Sequence, residues 1–314
     1  MSEEQCLRRL RFRKEVVTEL CTLLRTYLAA NISTRTSLSV AVKVTVALNF
    51  YQSPVGDICN ISQFAVHCCI RQVTNALYGK LLNYIKFSMS REDLDKLYQA
   101  NGLPPVQGAI DCTHVALRAP PHNGEIFQNR KGFHFLNVQL LCDHRQMILA
   151  VNARYPGSCH DAFILRETTV PQLFKPPHEG RSWLLGDKGY GVAPWLMTPL
   201  CNPTTPAEQC YNTSHTTTRA IIEQTIRVLK QRFHCLDCSG RALQYSPHDH
   251  HCLLHAAQPG HYEGPAITTG MDDPPQKDDD DDEEDEDSHR RRRQPNTATA
   301  GRAARHRLIA HRFQ

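Results

Sequence analysis

Three carboxylates sit where chemistry would want them. Asp111 lies within the apolar run Gly-Ala-Ile-Asp-Cys-Thr-His, where an acid is costly to bury unless it is paired or holds a cation. Asp187 closes a second apolar run in Leu-Leu-Gly-Asp-Lys-Gly-Tyr. Glu223 follows two isoleucines in Ile-Ile-Glu-Gln-Thr-Ile, with 35 residues between it and Asp187. Acids delivered from a strand, a strand end and a helix can converge on two divalent cations. Mg²⁺ or Mn²⁺ suits them because hard cations take oxygen ligands. Two such ions clamp the attacking and leaving oxygens of a phosphodiester displacement. Each acid also has an ordinary role open to it. Asp111 can bond neighbouring backbone or Thr113, Asp187 can cap a turn before Gly189, and Glu223 can pair with Arg219 or Arg227 one helical turn away. Asp161 in His160-Asp161 competes for the second position. As an acid that opens a helix and caps its own amides, it is ranked structural, supporting the ligands rather than being one. Asp143 stands at a hairpin turn before His144-Arg145 and is left out.

The elements that must position these acids are legible between residues 106 and 245. Val106 to Leu117, Phe135 to Cys142, Met147 to Ala153 and Trp183 to Leu185 are β-prone runs bounded by turn residues, and Trp195 to Leu200 is a further short strand. Asp161 to Phe174 and Thr216 to Phe233 read as helices, the second repeating Ile222, Ile226 and Leu229 on one face. Three consecutive strands followed by helix-strand alternation point to an α/β fold, a mixed sheet with helices on both faces.

Residues 1 to about 100 are helical in pattern and poor in Gly and Pro. Leu20, Leu23, Leu24, Tyr27 and Leu28 share a face, as do Val42, Val46 and Phe50. Ser53-Pro54 breaks the chain, and Ile61-Ser62-Gln63 opens another helix. The outline is helix-turn-helix-like, with Gln63, His67, Arg71 and Gln72 exposed on the last helix, either to read DNA or as the outer face of a bundle.

The runs GAIDCTHVALRAP, NRKGFHFLNVQLLCD, PGSCHDAFIL, WLLGDKGY, WLMTPL, TPAEQCYNTSHTTTRAIIEQTIRVLKQRFHCLD and ALQYSP, in that order, resemble the Harbinger transposase-derived nucleases of the PIF/Harbinger superfamily. The resemblance covers residues 106 to 247. It implies an RNase H-like domain whose Asp-Asp-Glu metal triad falls on Asp111, Asp187 and Glu223, with DNA as substrate and a separate Myb-like DNA-binding protein as partner. In the implied mechanism Asp111, Asp187 and Glu223 would hold two Mg²⁺ ions, which would supply an activated water for in-line attack on phosphorus and stabilise the departing 3′-oxygen. The alternative is a catalytically silent nuclear adaptor that keeps the fold and binds DNA or protein. Asn129-Arg130-Lys131-Gly132 and the helix residues Arg227, Lys230 and Arg232 are candidates for phosphate contact. The resemblance also implies a closing apolar helix after Pro247. His248-Asp-His-His-Cys-Leu-Leu-His stands there instead, so the nuclease domain, residues 106–255, is expected to have an incomplete C-terminal helix.

Composition sets the outer bounds. The 314 residues are 40% apolar and 22% charged, enough for a substantial core. The charged N-terminus lacks a signal peptide's apolar run, and Leu38 to Phe50 is too short to span a bilayer, so neither secretion nor a membrane partner is expected. Thirteen cysteines without framework spacing read as reduced thiols, which makes Asn31, Asn60 and Asn212 chance glycosylation sequons. Cys235-x₂-Cys238-x₁₂-His251-x₃-His255 has zinc-finger spacing without the apolar residues such fingers need, and is taken as coincidence. Residues 271–314 carry 12 acids and 9 bases, leaving the remainder at +7, compatible with a polyanion partner or with ordinary solubility. The ten acids Asp278 to Asp287 predict a disordered charged tail over 258–314. Arg290 to Arg293 form a nuclear-localisation-like cluster, so the nucleus, with the cytoplasm also open, is the expected location.

Overall fold

The helices begin where short polar side chains satisfy their first amides. In α1 (Glu3–Leu10), Ser2 Oγ accepts from Gln5 N–H while the Gln5 side chain accepts from Ser2 N–H, a reciprocal cap. The computed structural model describes residues 1–29, 38–52, 61–81, 84–85, 106–117, 124–128, 132–174, 182–236 and 297–313. After α1 come α2 (Lys14–Leu28), α3 (Val40–Gln52), whose first amides meet Ser39, and α4 (Gln63–Leu81), where Ser62 Oγ accepts from Ala65 N–H. Leu24 and Leu28 are buried on α2, and Leu20 and Leu23 pack beside them. Tyr27 departs from the expected face. It is 53% exposed, with the Lys80 ammonium 5.1 Å from its ring centroid, because its amphipathic ring gains a cation at the rim of the core. On α4, Gln63, His67, Arg71 and Gln72 are exposed as the spacing predicts. The Ser53-Pro54 break lies outside the described residues.

The sheet is mixed, five strands in the order β3-β2-β1-β4-β5. β1 (Val106–Leu117), β2 (His134–Cys142) and β3 (Ile148–Pro156) form an antiparallel meander. The β2–β3 turn is fixed by Asp143, whose Oδ1 accepts from the amides of Arg145 and Met147 at 2.8 Å each. β4 (Trp183–Leu185) and β5 (Leu196–Met197) extend the sheet on the other side of β1 in parallel. The helix expected over Asp161 to Phe174 is two short ones, α5 (Asp161–Arg166) and α6 (Val170–Leu173). Thr168 Oγ donates to Leu165 O and ends the first, and Pro171 falls in the first turn of the second.

The long helix α7 (Pro206–Arg232) starts ten residues earlier than the apolar period suggests. Thr205 and Glu208 form a capping box around Pro206, a start signal the sequence carried in Thr-Pro-Ala-Glu. One hydrophobic cluster joins the N-terminal helices, the α7 face of the sheet and α7 itself through Leu24, Ala47, Val73, Val115, Val138 and Ile222. A second lies on the other face, around Ile110, Leu165, Phe174, Leu184 and Tyr190.

Thr297 to Phe313 correct the expectation of a disordered tail. Residues Thr297–Arg312 form α8, which packs on α7 and β5 and buries Leu308, Ile309 and the following Phe313. The acidic run and Arg290 to Arg293 lie outside the described residues. Among the described residues ten cysteines are free thiols, and no helix is long and apolar enough to cross a membrane.

Candidate active site

The parallel pairing of β1 with β4 brings two of the acids together. Ala109 stands opposite Leu185, so Asp111 and Asp187 each lie two residues beyond the same rung, at the carboxyl edge of β4. Cys112 N–H donates to Asp111 Oδ1 at 2.8 Å. Asp187 turns its own chain: its Oδ1 accepts from Gly189 N–H at 3.0 Å and caps the short 3₁₀ turn Lys188–Tyr190. Glu223 arrives from α7, which is held against β5 by the buried His215, whose Nε2 bonds Met197 O at 3.0 Å, and against the sheet by Ile222.

Arg219 ties helix to strand. Its Nη1 donates to Asp111 Oδ2 at 3.0 Å, and its Nη2 donates to Glu223 Oε1 one turn along α7. The pairing of Glu223 with Arg219 was one ordinary role the spacing allowed, and both roles now meet in one guanidinium. Lys230 Nζ reaches back to His114 O on β1 at 2.9 Å, which places a second α7 cation beside this strand. Arg232 is turned away, its guanidinium 5.2 Å from the Phe12 ring centroid, and Arg227 is exposed. The basic loop residues 129–131 lie outside the described residues.

Asp161 differs from its expected role. The start of α5 carries no side-chain cap; Asp161 Oδ1 instead accepts from Asn137 Nδ2 at 2.9 Å. Burial pushes the Asp111 carboxyl above the usual range, and the charges of Asp187 and Asp161 add to the rise against the pull of Cys112 N–H and Arg219. Burial also raises Asp187, with Asp161 the next cause. Asp161 therefore belongs electrostatically to the acid group. A helix-opening acid looks like a cap in sequence, and only Asn137, 24 residues away on β2, reveals the difference. Burial drives the Cys112 thiol pKa far up, which disfavours the thiolate, and its Sγ lies 3.1 Å from the Tyr190 hydroxyl. Cys235 of the zinc-like spacing is buried, its thiol pushed up to about 12; Cys238, His251 and His255 lie outside the described residues.

Among the described residues no three His, Cys, Asp or Glu side chains are drawn together into a ready cation site. The donors nonetheless suit a hard divalent ion. They are carboxylates crowded enough to repel, the buried Asn137 Oδ1 beside them has no hydrogen-bond partner among the described residues, and a cationic group already bridges Asp111 and Glu223.

The buried His215 yields a test of the scaffold. Burial lowers its pKa to about 4, against about 6.5 when unfolded. The unfolded chain thus binds the extra proton between those values, so the stability His215 contributes is complete above pH 6.5 and lost as pH falls towards 4. The full span amounts to about 3 kcal/mol. The midpoint of the parent relative to that of His215→Gln, which still donates to Met197 O, should fall on acidifying from pH 7 to 5, since the carboxyls of the site contribute equally to both proteins. Equal slopes for both proteins would refute the assignment.

Known proteins place the chain among relatives. The model for "DDE superfamily endonuclease" matches residues 110–257. "Putative nuclease HARBI1" of Homo sapiens is 40% identical over 233 residues, covering 70% of this chain and 67% of that protein. The Bos taurus protein of the same name is 37% identical over 75% of this chain and 70% of its own length. "Protein ALP1-like" of Arabidopsis thaliana is 23% identical over 59% of this chain and 50% of its own. No solved structure matches.

Proposed function

Since the chain belongs to the HARBI1-like family of DDE superfamily endonucleases, we propose that it hydrolyses DNA phosphodiester bonds with a divalent cation held by Asp111, Asp187 and Glu223, Asp161 contributing a fourth carboxylate. The observation that carries this reading is the parallel register that sets Asp111 beside Asp187 at the strand edge, with Glu223 tied to Asp111 through Arg219. Mg²⁺ or Mn²⁺ bound there supplies Lewis acidity and an activated water for attack on phosphorus.

The chain's own residues do the rest. The backbone N–H groups of Cys112 and Gly189 each fix one carboxylate oxygen of Asp111 and Asp187. Asn137 orients Asp161. Lys230 stands along the same strand, a cation for a nearby phosphate. DNA and a separate Myb-like DNA-binding protein are the partners this reading proposes, and the nucleus is its place of action. The exposed polar face of α4 is compatible with contact to DNA or to that protein.

Supercoiled plasmid is the direct substrate for the test. The purified protein should nick it with Mg²⁺ or Mn²⁺, alone or with the Myb-like partner, and not with EDTA. Asp111→Ala should reduce nicking by at least about 10³-fold, because a ligand of the cation that polarises the reacting phosphate is lost. Equal nicking by both proteins, or by neither with the partner present, would favour the silent adaptor.

A further inference from the structure

We infer that Arg219 occupies the cation seat between Asp111 and Glu223 in the metal-free protein and competes with the divalent ion for those carboxylates. This rests on the metal reading of the acids and adds a device that this reading does not contain. Arg219 spans from helix to strand, its Nη1 on Asp111 and its Nη2 on Glu223, so one planar group neutralises two acids that two elements bring together. Its side chain is only 17% exposed, so the guanidinium has exchanged most of its water for carboxylate oxygens.

The pair with Glu223 is not explained as ordinary helix support. With the cation N-terminal to the acid at i,i+4, the order is the less favourable one for a helix. The contact to Asp111 joins residues 108 apart in sequence. A hard divalent ion seeking the same oxygens must displace the guanidinium.

The helix need not move for this to happen. α7 is held one turn before Arg219 by His215 on Met197 O and three residues after it by the fully buried Ile222. A long, unbranched side chain can swing outward from a fixed backbone. The effect is a latch. Without metal, Arg219 holds Asp111 and Glu223 to one shared cation; with metal, part of the ion's binding free energy goes into releasing it. A seat filled by Arg219 weakens the ion's apparent affinity in proportion to the fraction of molecules in which the seat is free.

The test uses Mn²⁺ alone, titrated calorimetrically into the full chain, with thermal midpoints measured in EDTA and in excess Mn²⁺. Arg219→Gln keeps hydrogen-bond donors and removes the charge. It should bind Mn²⁺ roughly tenfold more tightly than the parent, melt lower in EDTA, and show a wider gap between its two midpoints. Arg219→Lys, a compact ammonium that cannot fork to both acids, should lie between the two. Should Arg219→Gln fail to fold, Arg219→Lys decides alone: tighter binding than the parent supports the latch, and equal or weaker binding overturns it.

If the parent binds Mn²⁺, Asp187→Asn does not, and Arg219→Gln binds no better than the parent, the latch is wrong while the metal site stands. If neither the parent nor either Arg219 variant binds Mn²⁺, the metal site itself is wrong and the latch falls with it.

Discussion

Asp187→Asn should lose Mn²⁺ binding by about 100-fold or more while the protein stays folded. The amide oxygen of Asn can still accept from Gly189 N–H, so the 3₁₀ turn keeps its cap, but the charge that holds the cation is gone. Asp161→Asn keeps its hydrogen bond from Asn137 in the same way and should cost roughly tenfold, as expected for a carboxylate that contributes to the field of the site. The parent should gain about 3 kcal/mol at a Mn²⁺ concentration 100 times its Kd, roughly 5–10 °C in midpoint for a chain this size.

That gain should depend on pH in a stated direction. The folded carboxyls of Asp111 and Asp187 titrate above the ordinary 3.8. The stability they contribute is therefore full below that value and lost as pH rises through their raised folded values, because the ionised acids are buried and repel. Mn²⁺ relieves that cost, so its stabilising shift should be larger at pH 7.5 than at pH 5. Isothermal titration and paired melts read both effects. Asp161→Asn abolishing binding while Asp187→Asn retains it would transfer the second ligand to Asp161, and a normal Mn²⁺ shift in Asp111→Ala would remove the site from this sheet edge.

The reason some of this was legible in the sequence and some was not lies in how far each signal reaches. Asp111 and Asp187 were legible because each closes or interrupts an apolar run whose period and turn residues mark a strand, and strand ends deliver side chains to one edge. The five strands and α7 followed from the same local patterns. Arg219 was legible only in half: its i,i+4 pairing with Glu223 is local, while its bond to Asp111 depends on α7 crossing β1. Only the cap expected of Asp161 is absent, because a first-turn acid satisfies the local rule for a cap whether or not it makes one. Its actual donor, Asn137, is supplied by tertiary pairing. The first ten residues of α7 were missed because they are polar, although Thr205 and Glu208 announce the start.

The closing helix was the least legible element, and deletion of residues 297–314 should lower the thermal midpoint by roughly 10 °C. α8 is rich in Ala, Arg and His and follows an acidic run, so composition hides it. Its anchoring becomes visible only in contact. Leu308, Ile309 and Phe313 are buried, each side chain worth roughly 1.5–3 kcal/mol, partly offset by the cost of ordering the helix. Phe313 meets the Tyr211 ring edge-on, with centroids 5.8 Å apart. Arg305 Nη1 donates to Thr198 O, Thr198 Oγ and Pro199 O at 3.0–3.3 Å, just past β5. Gly301 lets the helix lie on the turn before β5: a Cβ there would stand 2.7 Å from Ala193 Cα. β5 in turn pairs with β4, whose end carries Asp187, so the tail braces the strand that presents an acid. Gly301→Val should reproduce much of the deletion's effect by lifting the helix off Ala193, and Arg305→Ala should cost roughly 2–3 kcal/mol through the lost donor to buried carbonyls. Equal midpoints for the full chain and the 1–296 fragment would show that α8 contributes nothing to the fold.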